Sequence, residues 1–306
     1  MTRVLVTGGA GFIGSHLVRA LVGSGHEVRV LARPKTSLER LSDVTSEIEI
    51  VHGDVSDPAG VVAALGGWRP DVCAHLAWYA DPKTYLKSQR NLDELSASCA
   101  FLAYLMEAGI QRFLVTGSCA EYAPSGDRLR EDSPAGPATL YAACKLSLQM
   151  VAAQLAADYG AQLTWARIFH LYGPFENSER LVPAVIKTLL AREVFLATAG
   201  DQLRDYLHVA DVASGLCALV DDEVDGVVNI CSAAPTTVRQ VIETVAEIVG
   251  GAELVRFGQR AGSAWDPPVL YGDNTRLIEA TGWRRRFELR PGLEDTVRWW
   301  QSRAEL

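Results

Sequence analysis

The chain has 306 residues, 48% hydrophobic and 22% charged, proportions of a globular protein rather than a disordered or collagenous one. Its 29 basic and 37 acidic residues leave a net charge of −8, which argues against a nucleic-acid or anionic-membrane surface, since both need a basic field. A chain of this length buries enough apolar surface to stand without disulfide or metal staples, and any anionic ligand must be met by local Arg and backbone N–H groups.

No apolar run approaches the ~18 residues of a membrane span. The first dozen residues place Arg3 ahead of an apolar stretch, but Gly8, Gly9, Gly11 and Gly14 interrupt it and no A-x-A site follows. That pattern reads as strand and turn rather than signal peptide. The six cysteines are scattered without a C-x-x-C pair, which suits a reduced, cytoplasmic protein.

In chain order, Val4–Thr7 reads as a strand, Phe12–Ser24 as a helix ended by Gly25, and Val28–Leu31 as a second strand. Ile48–Val51, Val72–Leu76, Phe113–Val115 and Leu163–Phe169 continue the strands, with helices expected at Tyr85–Ala108 and Leu140–Asp158. Strand–helix alternation at this spacing predicts an α/β fold, a doubly wound parallel sheet with helices on both faces. After Tyr172 the texture changes: Gly173-Pro174 breaks the chain, Leu181–Ala191 and Thr236–Val249 read as helices, and Gly250-Gly251 closes the second. Val227–Ile230 is expected to return to the first sheet. The organisation expected is a Rossmann-type domain at 1–172 plus about 205–232, and a smaller, discontinuous domain from 173–204 and 233–306.

Val4-Leu5-Val6-Thr7-Gly8-Gly9-Ala10-Gly11-Phe12-Ile13-Gly14 puts a G-x-x-G-x-x-G turn between the first strand and first helix. Gly8 permits the tight turn, Gly11 lets the backbone approach a pyrophosphate, and Gly14 allows close helix–strand packing. The free first-turn amides, Phe12 and Ile13 among them, then face the phosphate with the positive end of the helix. At the end of the second strand a carboxylate would select NAD and a nearby Arg would accommodate a 2′-phosphate. Here Ala32-Arg33-Pro34-Lys35-Thr36-Ser37 follows without an acid. Arg33, Lys35 and Ser37 therefore point to NADP(H) in preference to NAD(H). Asp54, in Gly53-Asp54-Val55, either accepts from an adenine amino group or caps the following helix.

Tyr141-Ala142-Ala143-Cys144-Lys145 stacks Tyr141 and Lys145 on one helix face at i, i+4. An ammonium beside a phenol favours the phenolate, and a Tyr so tuned exchanges a proton with a carbonyl or alcohol oxygen. Ser118 follows the Phe113–Val115 strand, where a hydroxyl faces the ligand crevice.

These residues resemble the extended short-chain dehydrogenase/reductase family of nucleotide-sugar epimerases, dehydratases and reductases. Matching segments are Thr7–Gly14, Gly53–Val55, His75-Leu76-Ala77, Ser118 with Tyr122, Tyr141–Lys145, Arg167–Pro174, Gln202–Val209, Asn229-Ile230-Cys231, and Asp273-Asn274 through Gly282-Trp283. The resemblance implies Tyr141 as general acid/base, Lys145 on the nicotinamide ribose, and Ser118 on the sugar oxygen. It implies Val55, Leu76, Ala77 and Phe169 beside the cofactor. Arg204 would bind the substrate diphosphate, with Arg260 a second candidate, while His170 stands where many members have Asn and either meets the substrate or packs as a satisfied histidine.

Two departures narrow the class. Where dehydratases of the family carry an Asp-Glu pair, this chain has Cys119 and Ala120, and members that recycle NAD usually carry the acid missing after the second strand. The expected activity is NADPH-dependent reduction of a nucleotide-diphosphate 4-keto-6-deoxy sugar. An NAD-dependent nucleotide-sugar epimerase is the alternative, and a non-catalytic NADP(H) sensor a third reading that the intact Ser118, Tyr141 and Lys145 oppose. Family members commonly dimerise through the two helices expected at 85–108 and 140–158, so a homodimer is expected.

Overall fold

The computed structural model describes residues 1–262 and 267–304; residues 263–266 and 305–306, within the stretch expected for the second domain, lie outside it. The first half runs β1 (Arg3–Thr7), α1 (Phe12–Gly23), β2 (Glu27–Ala32), β3 (Ile48–His52), α2 (Pro58–Ala64), β4 (Val72–His75), α3 (Arg90–Glu107), β5 (Arg112–Ser118), α4 (Leu140–Tyr159) and β6 (Gln162–Ile168). There follow β7 (His170–Tyr172), α5 (Leu181–Leu190), β8 (Phe195–Leu196), β9 (Leu203–His208), α6 (Val209–Asp221), β10 (Gly226–Ile230) and β11 (Pro235–Thr237). The chain ends with α7 (Val238–Val249), β12 (Val255–Arg256), β13 (Val269–Leu270), α8 (Thr275–Thr281) and α9 (Leu289–Ala304).

Seven strands form one parallel sheet in the order β3-β2-β1-β4-β5-β6-β10. The central strand β1 is apolar along its length, with Val4, Leu5 and Val6 all fully buried, because both faces are covered. On one face α1 and α6 pack Leu17, Val18 and Leu21 against Val212, Leu216 and Val220. The other is covered by α2, α3 and α4 through Val61, Phe101, Leu105, Leu148 and Ala152. The order reverses between β1 and β4, and a ligand crevice opens there, beyond the carboxyl ends of the strands.

A second core joins α5, α7 and α9 through Val182, Ile186, Leu189, Val241, Val245, Leu293 and Val297. Between the cores, β9 pairs with β7 through Tyr206–His208, and with β11 and β13 through Leu203–Asp205.

Three expectations shift. Helix α3 begins at Arg90 rather than Tyr85, because the Asn91 amide donates to the Tyr85 and Ser88 carbonyls (2.6 and 2.8 Å) and holds 85–88 as turns. Helix α7 begins at Val238, since Pro235–Thr237 forms β11 and Thr237 closes a capping box with Gln240. Leu277, Ile278 and Trp283, expected with the second domain, pack in the first core against α6 and β10. Helix α4 is long and apolar enough to cross a membrane by length and composition alone. Here it packs against α3, β5 and β6 with Lys145 buried on its inner face, as a core helix does.

Candidate active site

The glycine turn sits at the crevice. Gly8 adopts φ +70°, and a Cβ on it would stand 2.7 Å from the Ala77 amide nitrogen and 2.8 Å from the Leu76 carbonyl carbon. A side chain is thus excluded both by backbone conformation and by the close approach of β1 to the end of β4. Gly14 is pressed as tightly on Gly8, whose carbonyl oxygen a Cβ would meet at 2.1 Å. Gly11 is the N-cap of α1, and no side chain caps the helix. The amides of Phe12 and Ile13 in its first turn therefore remain available to an anion. This cradle fits the pyrophosphate of a dinucleotide. Below it, Ala77 N donates to Thr7 Oγ1 (3.2 Å), and the His75 ring bridges the Thr7 hydroxyl at Nδ1 (2.8 Å) and the Ser98 hydroxyl at Nε2 (3.0 Å). Burial holds His75 neutral, its pKa pushed down to about 3.

At the end of β2, Arg33, Lys35 and Ser37 are exposed. Asp54 follows β3 and accepts from Ser56 N and Oγ (2.9 and 2.7 Å), which hold its carboxyl below the usual range, with Arg33 adding to the effect. Asp54 does not cap the next helix; Asp57 does, accepting from Gly60 N at 3.0 Å. Val55 packs on the α2–α3 core.

Ser118 ends β5 and caps a 3-10 turn at Cys119–Glu121, its Oγ accepting from Ala120 N at 3.2 Å. Glu121, fully buried, accepts from Ser118 N (2.7 Å), Trp165 Nε1 (3.0 Å) and Arg167 Nε (2.7 Å). The Arg167 guanidinium in turn lies 4.4 Å over the Tyr122 ring. Thr139 caps α4 through Ala142 N, which puts Tyr141 in the first turn beside Ser118 and Lys145 one turn on. The Lys145 Nζ donates to the Thr116 carbonyl (2.9 Å) and lies 4.0 Å from the Trp78 ring centroid. Burial brings Lys145 down to about 8, against the pull of Glu121 and Glu94. The expected lowering of the Tyr141 phenol by Lys145 is not what dominates: burial raises it, and the Ser118 hydroxyl works in the opposite sense.

The residues expected to meet a substrate lie on β7 and β9, with Arg180 just before α5. His170 Nδ1 is buried without a partner among the described residues, so the ring is not a satisfied core histidine. Burial, with Arg204 and Arg180 nearby, pushes His170 down to about 3. Arg204 is buried on β9 and donates to the Leu203 and Pro267 carbonyls. Arg260 is exposed elsewhere, on a cleft of about 470 Å³ lined also by Thr198, Gly200, Gln202 and Pro268. The ring of Phe169, expected beside the cofactor, packs with Tyr122, Leu129 and Cys231 in a small core. Cys119 is buried and its thiol pushed up to about 12, which keeps its proton on and unfits it for exchanging one near neutral pH.

Sequence reasoning missed Glu121, Trp78, Tyr85 and Arg180. The Tyr85 ring meets Tyr141 edge-on at 4.9 Å, and Arg180 lies 4.8 Å over Tyr85. Glu121 was legible as the third residue after a capping Ser118; the other three had no local signal.

The model of the NAD dependent epimerase/dehydratase family matches residues 4–231. A UDP-glucose 4-epimerase of Azospirillum brasilense is 27% identical, covering 99% of this chain and 93% of its own. The Thermus thermophilus UDP-glucose 4-epimerase solved with NAD is 27% identical, with a TM-score of 0.85 over 98% of this chain and 99% of that one. The dTDP-glucose 4,6-dehydratase from Streptomyces venezuelae solved with NAD is 25% identical, with a TM-score of 0.89 over 99% and 98%. The glycine turn, the parallel sheet and these matches together show that the chain belongs to the NAD dependent epimerase/dehydratase family, within the extended short-chain dehydrogenases/reductases.

Proposed function

We propose that this protein reduces the keto group of a nucleotide-diphosphate 4-keto-6-deoxy sugar with NADPH. The observation that carries the reading is the join of an intact Ser118–Tyr141–Lys145 set to Cys119 and Ala120, of which the first is buried and protonated and the second inert. Proton exchange at one oxygen is supported; an elimination that needs a further acid and base is not. The basic loop at Arg33, Lys35 and Ser37, with no acid following β2, supports NADPH.

The glycine turn, Arg33, Lys35, Ser37, Asp54 and Lys145 would hold the dinucleotide, which when bound supplies a hydride. Ser118 donates a hydrogen bond to the substrate carbonyl oxygen and Tyr141 delivers the proton to it as the alcohol forms. The Lys145 ammonium steadies the phenolate that remains. Arg204, with His170 and Arg180 around it, would meet the diphosphate and the sugar, with Arg260 the second candidate for the diphosphate. Burial of the Tyr141 phenol suits this direction, since it keeps the proton on until a carbonyl oxygen takes it.

A UDP-sugar 4-epimerase is the second reading, favoured by the epimerase relatives. Titration with NADPH and NADH, and extraction of any co-purified nucleotide, separates the two. Exchangeable binding that favours NADPH at least ~10-fold, about 1.4 kcal/mol, with one NADPH consumed per sugar, supports the reductase. Near-stoichiometric NAD surviving purification overturns it in favour of the epimerase. Tyr141→Phe should abolish turnover and spare cofactor binding.

The same helices support a homodimer: α3 and α4 turn Leu92 (51% exposed), Tyr104 (39%), Met150 (66%) and Val151 (42%) outward, an apolar face that a second copy would cover.

A further inference from the structure

We propose that the Trp78 indole holds the Lys145 ammonium charged and aimed through its π face, which makes Trp78 a positioning residue for the Tyr141–Lys145 pair. The role of that pair rests on the function proposed above; the contact itself does not. Lys145 is 3% exposed, and among the described residues no carboxylate lies within ion-pair distance of it. One N–H goes to the Thr116 carbonyl, and the cation sits 4.0 Å from the indole centroid, well within the reach of a cation–π contact.

The ring is itself fixed. Trp78 Nε1–H donates to Asn91 Oδ1 at 2.9 Å, and Asn91, fully buried, spends its amide hydrogens on the Tyr85 and Ser88 carbonyls. Only the oxygen of Asn91 can then face the indole. The other edge of Trp78 meets Tyr141 at 6.4 Å and 80°. The groups facing Lys145 from its surroundings are Glu94 on α3 and Glu121 on the 3-10 turn, both at longer range and both favouring the ammonium, with neutral His75 on β4 and Tyr141 on α4 itself. A carboxylate in the place of Trp78 would hold the cation equally well but would oppose ionisation of Tyr141. An aromatic face steadies the charge and adds no negative neighbour.

The chain has only five lysines, so 13Cε-lysine NMR, with Lys145→Met to assign the resonance, follows Lys145 directly and without substrate. The parent resonance should titrate at about 8. In Trp78→Leu it should titrate about one pH unit lower, and in Trp78→Phe by a smaller step in the same direction. The alkaline limb of turnover should move with it. A Lys145 titration unmoved in folded Trp78→Leu overturns the proposal; if that variant does not fold, an unmoved titration in Trp78→Phe does. A parent chain that turns over no keto sugar counts instead against the proposed function, because the titration needs no turnover.

Discussion

The carboxylate of Glu121 and the guanidinium of Arg167 meet at 2.7 Å with 0 and 4% of their side chains exposed, and the same carboxylate accepts from the Ser118 amide. Removing one charge of such a pair leaves the other buried and uncompensated, at a cost of about 3–5 kcal/mol. Glu121→Gln should therefore lower the urea midpoint clearly. It should also reduce kcat more than raise KM, because the Ser118 amide loses its charged acceptor. A variant as stable as the parent would show that Arg167 is satisfied without Glu121.

The loop after β2 carries the cofactor prediction. Arg33 and Lys35 are exposed, so their replacement touches no core. Arg33→Ala with Lys35→Ala should weaken NADPH binding ~10-fold or more, by analogy with the ~1.5–3 kcal/mol of a charged hydrogen bond, while leaving NADH unchanged. Equal losses for both nucleotides would assign the loop to folding rather than to a 2′-phosphate.

Buried His75 gives a pH prediction. Its folded pKa is about 3 against 6.5 for the free ring. Between those values the unfolded chain binds a proton that the folded chain refuses. Stability from this group is whole above 6.5 and falls as pH drops towards 3. His170, also pushed down to about 3, acts in the same sense, while Glu176, pushed up to about 8 by burial, acts in the opposite one above 4.5. His75→Gln should flatten the stability-against-pH slope between pH 4 and 6 by roughly 1.4 kcal/mol per unit. Urea midpoints across that range read it out, and an unchanged slope would mean that His75 takes up its proton while folded.

Met150 tests the dimer. It is 66% exposed, so a charge there leaves the isolated chain intact but is desolvated in an interface. Met150→Glu should sediment as a monomer where the parent sediments as a dimer, with its melting behaviour in dilute solution unchanged. A monomeric parent at micromolar concentration would remove the proposal.

What the sequence made legible was whatever is local. The strand from Val4, the glycine turn, the Tyr141–Lys145 spacing and the helix from Leu140 each carry their signal within a few residues, and β10 was readable as an apolar run near Val227. Helix α6 was not. Nine of its thirteen residues are buried, and two of the three half-exposed positions, 210, 214 and 218, are alanine, so its outer face carries little polar signal. The start of α3 was hidden because Asn91 acts on carbonyls upstream of it. Trp78 and Tyr85, on the connection from β4 to α3, and Arg180, before α5, are brought around Tyr141 only in the folded chain.

The late return of β10 bears on synthesis. Its partner β6 ends at Ile168, yet Gly226–Ile230 must leave the ribosome before that edge is paired. Until then the nascent sheet presents Thr164–Ile168 as a bare edge of unpaired backbone groups, the kind of template on which chains join edge to edge. The inserted segment of β7 to α6 is therefore also the interval during which a chaperone has most to do, and a chain truncated after Tyr172 should aggregate rather than stand as a small cofactor-binding unit.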